Sequence, residues 1–204
     1  MHTFSIAAVA PATGESGVAV TTRVACVGNG VPWVRAGVGA VATQASTRTE
    51  YGEELLDMLE TGVSPEEALR RATAADEGRE GHRSGPNYAA QGNVLVGPEV
   101  VDAVSESFES TEGSGRHLAD RLIEALMAGQ VVGGDRRAGR VQSAAVIVAD
   151  PREGMSRRAD GQTVHINVCE HPTPVAEVRR IYDTVSGTLG SRELSQPAGH
   201  EVLQ

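Results

Sequence analysis

Residues 133–137 read Gly-Gly-Asp-Arg-Arg, the most distinctive polar cluster in the chain. Adjacent glycines let a backbone approach a ligand closely. An aspartate beside an arginine can hold a guanidinium in place, and a fixed guanidinium is a two-pronged donor for a carboxylate. Asp135 and Arg136 are therefore the first candidates for chemistry, weighed against a solvated loop with a surface ion pair. Gln142 and Ser143 follow at the mouth of the next strand and add an amide and a hydroxyl. Arg23 closes the run Thr21-Thr22-Arg23, and Gln44 closes an apolar stretch. Gln91 and Asn93 are two apart in an extended segment, so both point to one face. Buried carboxamides are costly unless paired, so these two read either as a structural network or as the polar lining of a pocket.

A second row lies near the C-terminal end. His165, Asn167, Cys169 and His171 alternate with Val164, Ile166 and Val168. Histidine and cysteine suit zinc, but alternate side chains on one strand stand about 7 Å apart and do not easily converge on one ion. No metal is expected. The glycine spacing around Gly28 and Gly30 is incomplete for a nucleotide loop, and no cofactor is expected. Cys26 and Cys169 are too few for a disulfide framework and are expected as reduced thiols.

The elements that would position these residues follow from hydrophobic period. Residues 3–9 and 17–22 read as a hairpin across a Pro- and Gly-containing turn. Residues 31–35 hold the single tryptophan in a connection, and 37–44 read as one strand apolar on both faces. Residues 51–60 form an amphipathic helix, and Ser64-Pro65-Glu66-Glu67 is a capping box opening another to about Ala75. A polar loop leads to a strand at 88–96, and helices follow at 99–108 and 118–127. Strands at 143–149 and 163–168 precede a helix starting at Pro172-Thr173-Pro174 and running through Tyr182. Strands and helices come in blocks instead of alternating, which suits two sheets flanked by helix layers.

Composition limits the partners. A chain of 204 residues fits one domain, here residues 1–186, with a tail from 187 to 204 expected to be flexible. Aromatics are only 3% while glycines number 24, so the core must be built from small aliphatic side chains in close layers. A net charge of -9 disfavours nucleic acid and anionic membrane surfaces, which select basic patches. The N-terminus has no basic leader followed by an apolar run, and no segment is long enough to span a bilayer, so a cytoplasmic location is expected.

Five stretches resemble the DUF1028 family: His2 to Val20 with Thr21-Thr22-Arg23, Val31 to Ala45, Ser84 to Val101, Gly133 to Ala145 and His171 to Arg180. The resemblance implies the four-layer αββα sandwich of the N-terminal-nucleophile (Ntn) hydrolases. It also implies that Thr3 stands where those enzymes carry a nucleophile whose own free amine is the base. In this chain Met1 and His2 precede Thr3, and the large His2 is expected to block methionine removal. Thr3 is thus expected to lack a free amine. Relatives usually carry a further hairpin where Glu80 here abuts Gly81. A site for a small polar molecule is expected at the mouth of the two sheets. Asp135, Arg136, Ser143 and Thr3 would be its reactive groups, with Arg23, Gln44, Gln91, Asn93 and Gln142 binding substrate. The alternative is a ligand-binding or assembly protein on the same scaffold. A homodimer is expected, because a lost hairpin exposes a sheet edge.

Overall fold

A computed structural model describes residues 3–44, 48–72, 81–134 and 142–193, with the backbone alone at 81 and 188–193. It is a mixed α/β fold with one large antiparallel sheet and, among the described residues, five α-helices. The strands are β1 (Thr3–Val9), β2 (Ser16–Thr22), β3 (Pro32–Arg35), β4 (Gly39–Ala42), β5 (Gly81–Gly85), β6 (Tyr88–Asn93), β7 (Ser143–Ala149) and β8 (Gln162–Val168). The helices are α1 (Tyr51–Glu60), α2 (Pro65–Ala72), α3 (Glu99–Ser110), α4 (Leu118–Val131) and α5 (Pro174–Glu193). The large sheet has the order β5-β6-β1-β2-β7-β8, and β3 pairs with β4 in a separate hairpin. The first hairpin therefore lies at the centre, as its apolar sequence requires.

The two faces of the large sheet differ in chemistry. Phe4, Ile6 and Ala8 of β1 point to one face and join Val100, Val104 and Phe108 of α3 and Leu122, Ile123 and Leu126 of α4 in the main core. Val164, Ile166 and Val168 extend that core to α5 through Val175 and Val178. Every residue of β2 and β7 is buried, so these central strands are covered on both sides. Small residues make the close layers possible. A Cβ at Gly129 of α4 would stand 2.7 Å from Val104 and 2.9 Å from Phe4, which brings that helix down onto sheet and neighbour together.

The opposite face carries Thr3, Ser5 and Val20, and the β3–β4 hairpin lies over it, with α1 behind the hairpin. Trp33 makes that second joint. Its ring lies on the backbone of Gly52, where a Cβ would sit 2.2 Å from the nearest ring atom. Arg35 adds ion pairs to Glu53, Asp57 and Glu60 along α1.

Three expectations are corrected. Residues 31–35 are not a plain connection, nor is 37–44 one strand: β3 and β4 fold back through Gly37, whose φ of +75° gives the turn its left-handed residue. The polar loop before β6 contains an edge strand, β5, where His82 and Arg83 pair with Gln91 and Ala90. Its side chains are polar because an edge strand need not be buried, so the hydrophobic period is silent there. Cys26 and Cys169 are not separate thiols but are joined in a disulfide. Only half of the expected capping box forms: Glu67 N–H donates to Ser64 Oγ at 3.3 Å, while the Glu67 carboxylate accepts from Arg70 and Arg71, and α5 continues past Gly187 to Glu193.

Candidate functional site

Antiparallel register aligns four polar residues across one end of the sheet. Asn93 stands opposite Thr3, Thr3 opposite Thr22, and Thr22 opposite Ser143. Each comes from a different strand, so the row exists only when β6, β1, β2 and β7 are paired. Thr3 is 2% exposed, its N–H donates to Asn93 Oδ1 at 3.0 Å, and its hydroxyl donates to Thr22 Oγ1 at 3.1 Å. One step along β1, Ser5 Oγ donates to Gln44 Oε1 at 3.2 Å.

The loop following β2 roofs this row. Ser143 holds it down: its hydroxyl donates to Val24 O and accepts from Val27 N–H at 3.0 Å. Gly28 packs against the sheet where a Cβ would lie 2.6 Å from Asn167. Cys26 turns the loop with a φ of 56°, a costly value for a residue with a side chain. Its N–H donates to Cys169 O at 3.0 Å, beside the disulfide that ties the roof to the end of β8. Between roof and row lies a cavity of ≈ 220 Å³, lined chiefly by Thr3, Thr22, Val24, Cys26, Val31 and Gln44.

The expected site residues are thus partly gathered and partly dispersed. Thr3 and Gln44 line the cavity, and Asn93 holds Thr3 from the neighbouring strand. Ser143 is buried, with its hydroxyl engaged in fixing the roof. Gln91 donates to Ala42 O at 2.8 Å and so ties β4 to the large sheet, facing a separate hollow against α1 and α2. Gln142 points elsewhere: it lines a hollow with Met127, Gln130 and Pro172. Arg23 is half-buried after Thr22 and is not among the cavity's lining residues. Asp135 and Arg136 lie outside the described residues. Among the described residues no group of three or more His, Cys, Asp or Glu converges as a metal site.

Thr22 and Cys26 went unrecognised as site residues in the sequence. A signal existed for Thr22, since the β1–β2 hairpin register can be counted from the turn. None existed for Cys26, whose partner is 143 residues away.

A second polar cluster closes the other end of the sheet. Glu15 is 2% exposed, and its Oε1 lies 2.9 Å from His117 Nε2. His117 Nδ1 accepts the Ala119 N–H at the start of α4, which leaves the ring proton on Nε2, toward Glu15. Burial would raise the Glu15 carboxyl, but His117 and Thr13 outweigh it and hold its pKa below the ordinary carboxylate value. Tyr182 stacks on His117, and burial together with the Asp120 charge pushes its phenol up to about 12. Burial likewise opposes ionisation of Asp120, yet Arg116 and Arg179 hold its pKa down. His117 accepts through Nδ1 and faces the buried Glu15 carboxylate through Nε2, so this cluster reads as a clamp on α4.

The fold and the row define a class: a mixed α/β domain whose antiparallel sheet ends in an alignment of hydroxyls and carboxamides under a disulfide-tied roof. The chain belongs to the family of unknown function DUF1028, whose model matches residues 3–83 and 77–178. The two matches overlap at residues 77–83. A crystal structure of protein SPO2555 from Silicibacter pomeroyi, assigned to DUF1028, is similar at a TM-score of 0.75 and 28% identity. The similarity covers 91% of this chain and 90% of that one. No curated protein matches.

Proposed function

We propose that this chain is a small-molecule enzyme on an Ntn-hydrolase-like scaffold, acting on an amide or carboxylate-bearing metabolite in the cavity at Thr3. The observation that carries this reading is the polar row Asn93, Thr3, Thr22 and Ser143 beneath a roofed cavity. A four-layer αββα arrangement is supported by the packing sequence of α3 to α5, large sheet, β3–β4 hairpin and α1.

The state of Thr3 decides the chemistry. Here its nitrogen is an amide that donates to Asn93 and has no basic lone pair. In that state the cavity suits acid/base work such as cyclisation or isomerisation, without a covalent intermediate. Amide hydrolysis through Thr3 requires cleavage after His2. The freed amine, with a pKa near neutrality, would take the hydroxyl proton as the oxygen attacks the carbonyl carbon and would pass it to the departing amine; water, losing a proton to the same amine, would then cleave the acyl-Thr3 ester, releasing the acid and restoring the hydroxyl. Asp135 and Arg136, with Arg23, would orient anionic parts of a substrate. The other reading, a non-catalytic binding or assembly protein, is favoured by the engagement of the Thr3 nitrogen with Asn93.

A cytoplasmic homodimer is the proposed form. Among the described residues the sheet ends in the edge strands β5 and β8, and edge strands offer backbone groups for pairing. Among the described residues no helix is long and apolar enough to cross a membrane. In a reducing compartment the exposed Cys169 would leave the disulfide open to thiols, so bridged and reduced forms would both occur.

Two measurements test the reading. Intact mass shows whether Met1 and His2 remain; both are expected to stay attached. NMR spectra recorded with a panel of small amides and carboxylates should show saturable shifts at Thr3, Thr22 and Gln44, and turnover of at least one member. Binding without turnover supports the non-catalytic reading, and no shift at these residues with any member refutes a small-molecule site there.

A further inference from the structure

We propose that β8 is the contact edge of the homodimer: two copies pair their β8 strands antiparallel about a twofold axis through His165, joining two six-stranded sheets into one. This rests on the dimer reading and adds the surface, the partner and the register. Three observations carry it.

The first is the contrast between the two edges. β5 is five residues long and carries Arg83, which reaches to Asp102 of α3. Shortness and charge are usual guards of an edge against pairing. β8 is seven residues long and reads Gln-Thr-Val-His-Ile-Asn-Val, with no Lys, Arg, Asp, Glu or Pro. Its one irregularity lies at its start, opposite Val148 and Ala149. Among the described residues β8 pairs with β7 alone, so alternate residues turn backbone N–H and C=O outward.

The second is self-complementarity. Facing residues of an antiparallel pair share one face of the sheet. Centred on His165, the register sets Val164 opposite Ile166 of the second copy, Thr163 opposite Asn167, and His165 opposite itself. Val164, Ile166 and Val168 face the core under α5, so apolar meets apolar on that face. Thr163, His165 and Asn167 meet as polar groups on the other. A slip by one residue would turn the two apolar faces to opposite sides. Just beyond the strand, Asp160 comes level with Glu170 of the second copy, and Arg158 already pairs with Asp160 at 2.6 Å.

The third is the helix layer. α5 packs over β7 and β8 alike. Strands lie about 4.8 Å apart, so α5 sits about 2.4 Å inside the β8 edge. Pairing two β8 strands therefore puts the two α5 helices about 10 Å apart, the spacing of packed helices. The second copy thus covers helix as well as strand. On the other face the interface lies beside the cavity roof, since Asn167 donates to Asn29 at 2.8 Å and Cys169 follows the strand.

The test uses the full chain as wild type and three single variants. Sedimentation should find the wild type dimeric at micromolar concentration. His165 is exposed, so His165→Lys should fold as wild type does, read by circular dichroism. It sets like charges against each other at the axis and should weaken the dimer at least about tenfold. His165→Cys places two Cα atoms about 4.5–5.5 Å apart, within reach of a disulfide, and should cross-link the dimer under mild oxidation. His82→Cys, an exposed position on β5, should not cross-link. A His165→Lys variant with wild-type dimer affinity, or a His165→Cys variant that does not cross-link, overturns the β8 interface and leaves a dimer through another surface. Cross-linking through His82→Cys overturns it too and assigns β5. A monomeric wild type overturns it together with the dimer reading, without touching the ligand cavity.

Discussion

Replacing Cys26 and Cys169 together by serine should destabilise the protein far more than any single surface change. The bridge closes a loop spanning 143 residues, and the chain-entropy relation gives roughly 5 kcal/mol for a loop of that length. That is a large share of the ~5–15 kcal/mol typical of whole domains. For a chain of this size it corresponds to a fall in melting temperature of roughly 10–20 °C. The figure is the entropic limit, and residual structure in the unfolded chain reduces it. Urea unfolding of the oxidised wild type and of Cys26→Ser/Cys169→Ser, followed by Trp33 fluorescence, measures it directly. Thiol titration after oxidation in air should first find no free thiol. Two thiols that still titrate after oxidation, or a midpoint shift worth less than about 1 kcal/mol, would refute the reasoning. In the variant the roof of the cavity keeps its Ser143 anchors but loses its tie to β8, so ligand exchange at Thr3 should quicken.

Ser143→Ala should cost roughly 1–2 kcal/mol, because it strips a part-buried carbonyl and a buried N–H of their partner; denaturant unfolding reads it. Gly52→Ala should cost roughly 1–3 kcal/mol and change Trp33 emission, since the new methyl would enter the indole ring's space. Glu15→Gln should cost roughly 1–3 kcal/mol at neutral pH through the buried contact with His117. The folded-state pKa of Glu15 is lowered, so its stabilisation is present above the unfolded carboxylate pKa and lost as pH falls through the folded value. The gap between wild type and Glu15→Gln should therefore narrow on acidification, and a gap that holds constant down to about pH 2 would show that Glu15 does not act through its charge.

Much of the fold was legible because local pattern and burial agree. Phe4, Ile6 and Ala8 alternate with Thr3, Ser5 and Ala7, and the alternation separates an apolar core from a polar face. Val100, Val104 and Phe108 repeat at helical spacing and are all buried. β5 was not legible, because a polar edge strand draws its pairing from β6 and its side-chain partners from α3, as Arg83 does with Asp102. The turn at Gly37 was hidden by the small residues around it, which suit a continuous strand as well as a hairpin. Of the candidate site, residue types were legible but roles were not. Gln91 and Asn93 sit two apart on one face, yet one ties a hairpin to the sheet while the other holds Thr3.

By itself the sequence determined the family, the kinds of element and the faces that must be buried. These follow from composition and from periods read over a few residues. Only the tertiary structure decided that Thr3, Thr22, Asn93 and Ser143 stand abreast, that Cys26 meets Cys169, and that Gln142 faces away from its neighbour's row. Those placements depend on which strands pair and in what register. Register is chosen by the summed burial of whole strands, a long-range quantity that no local stretch of sequence contains.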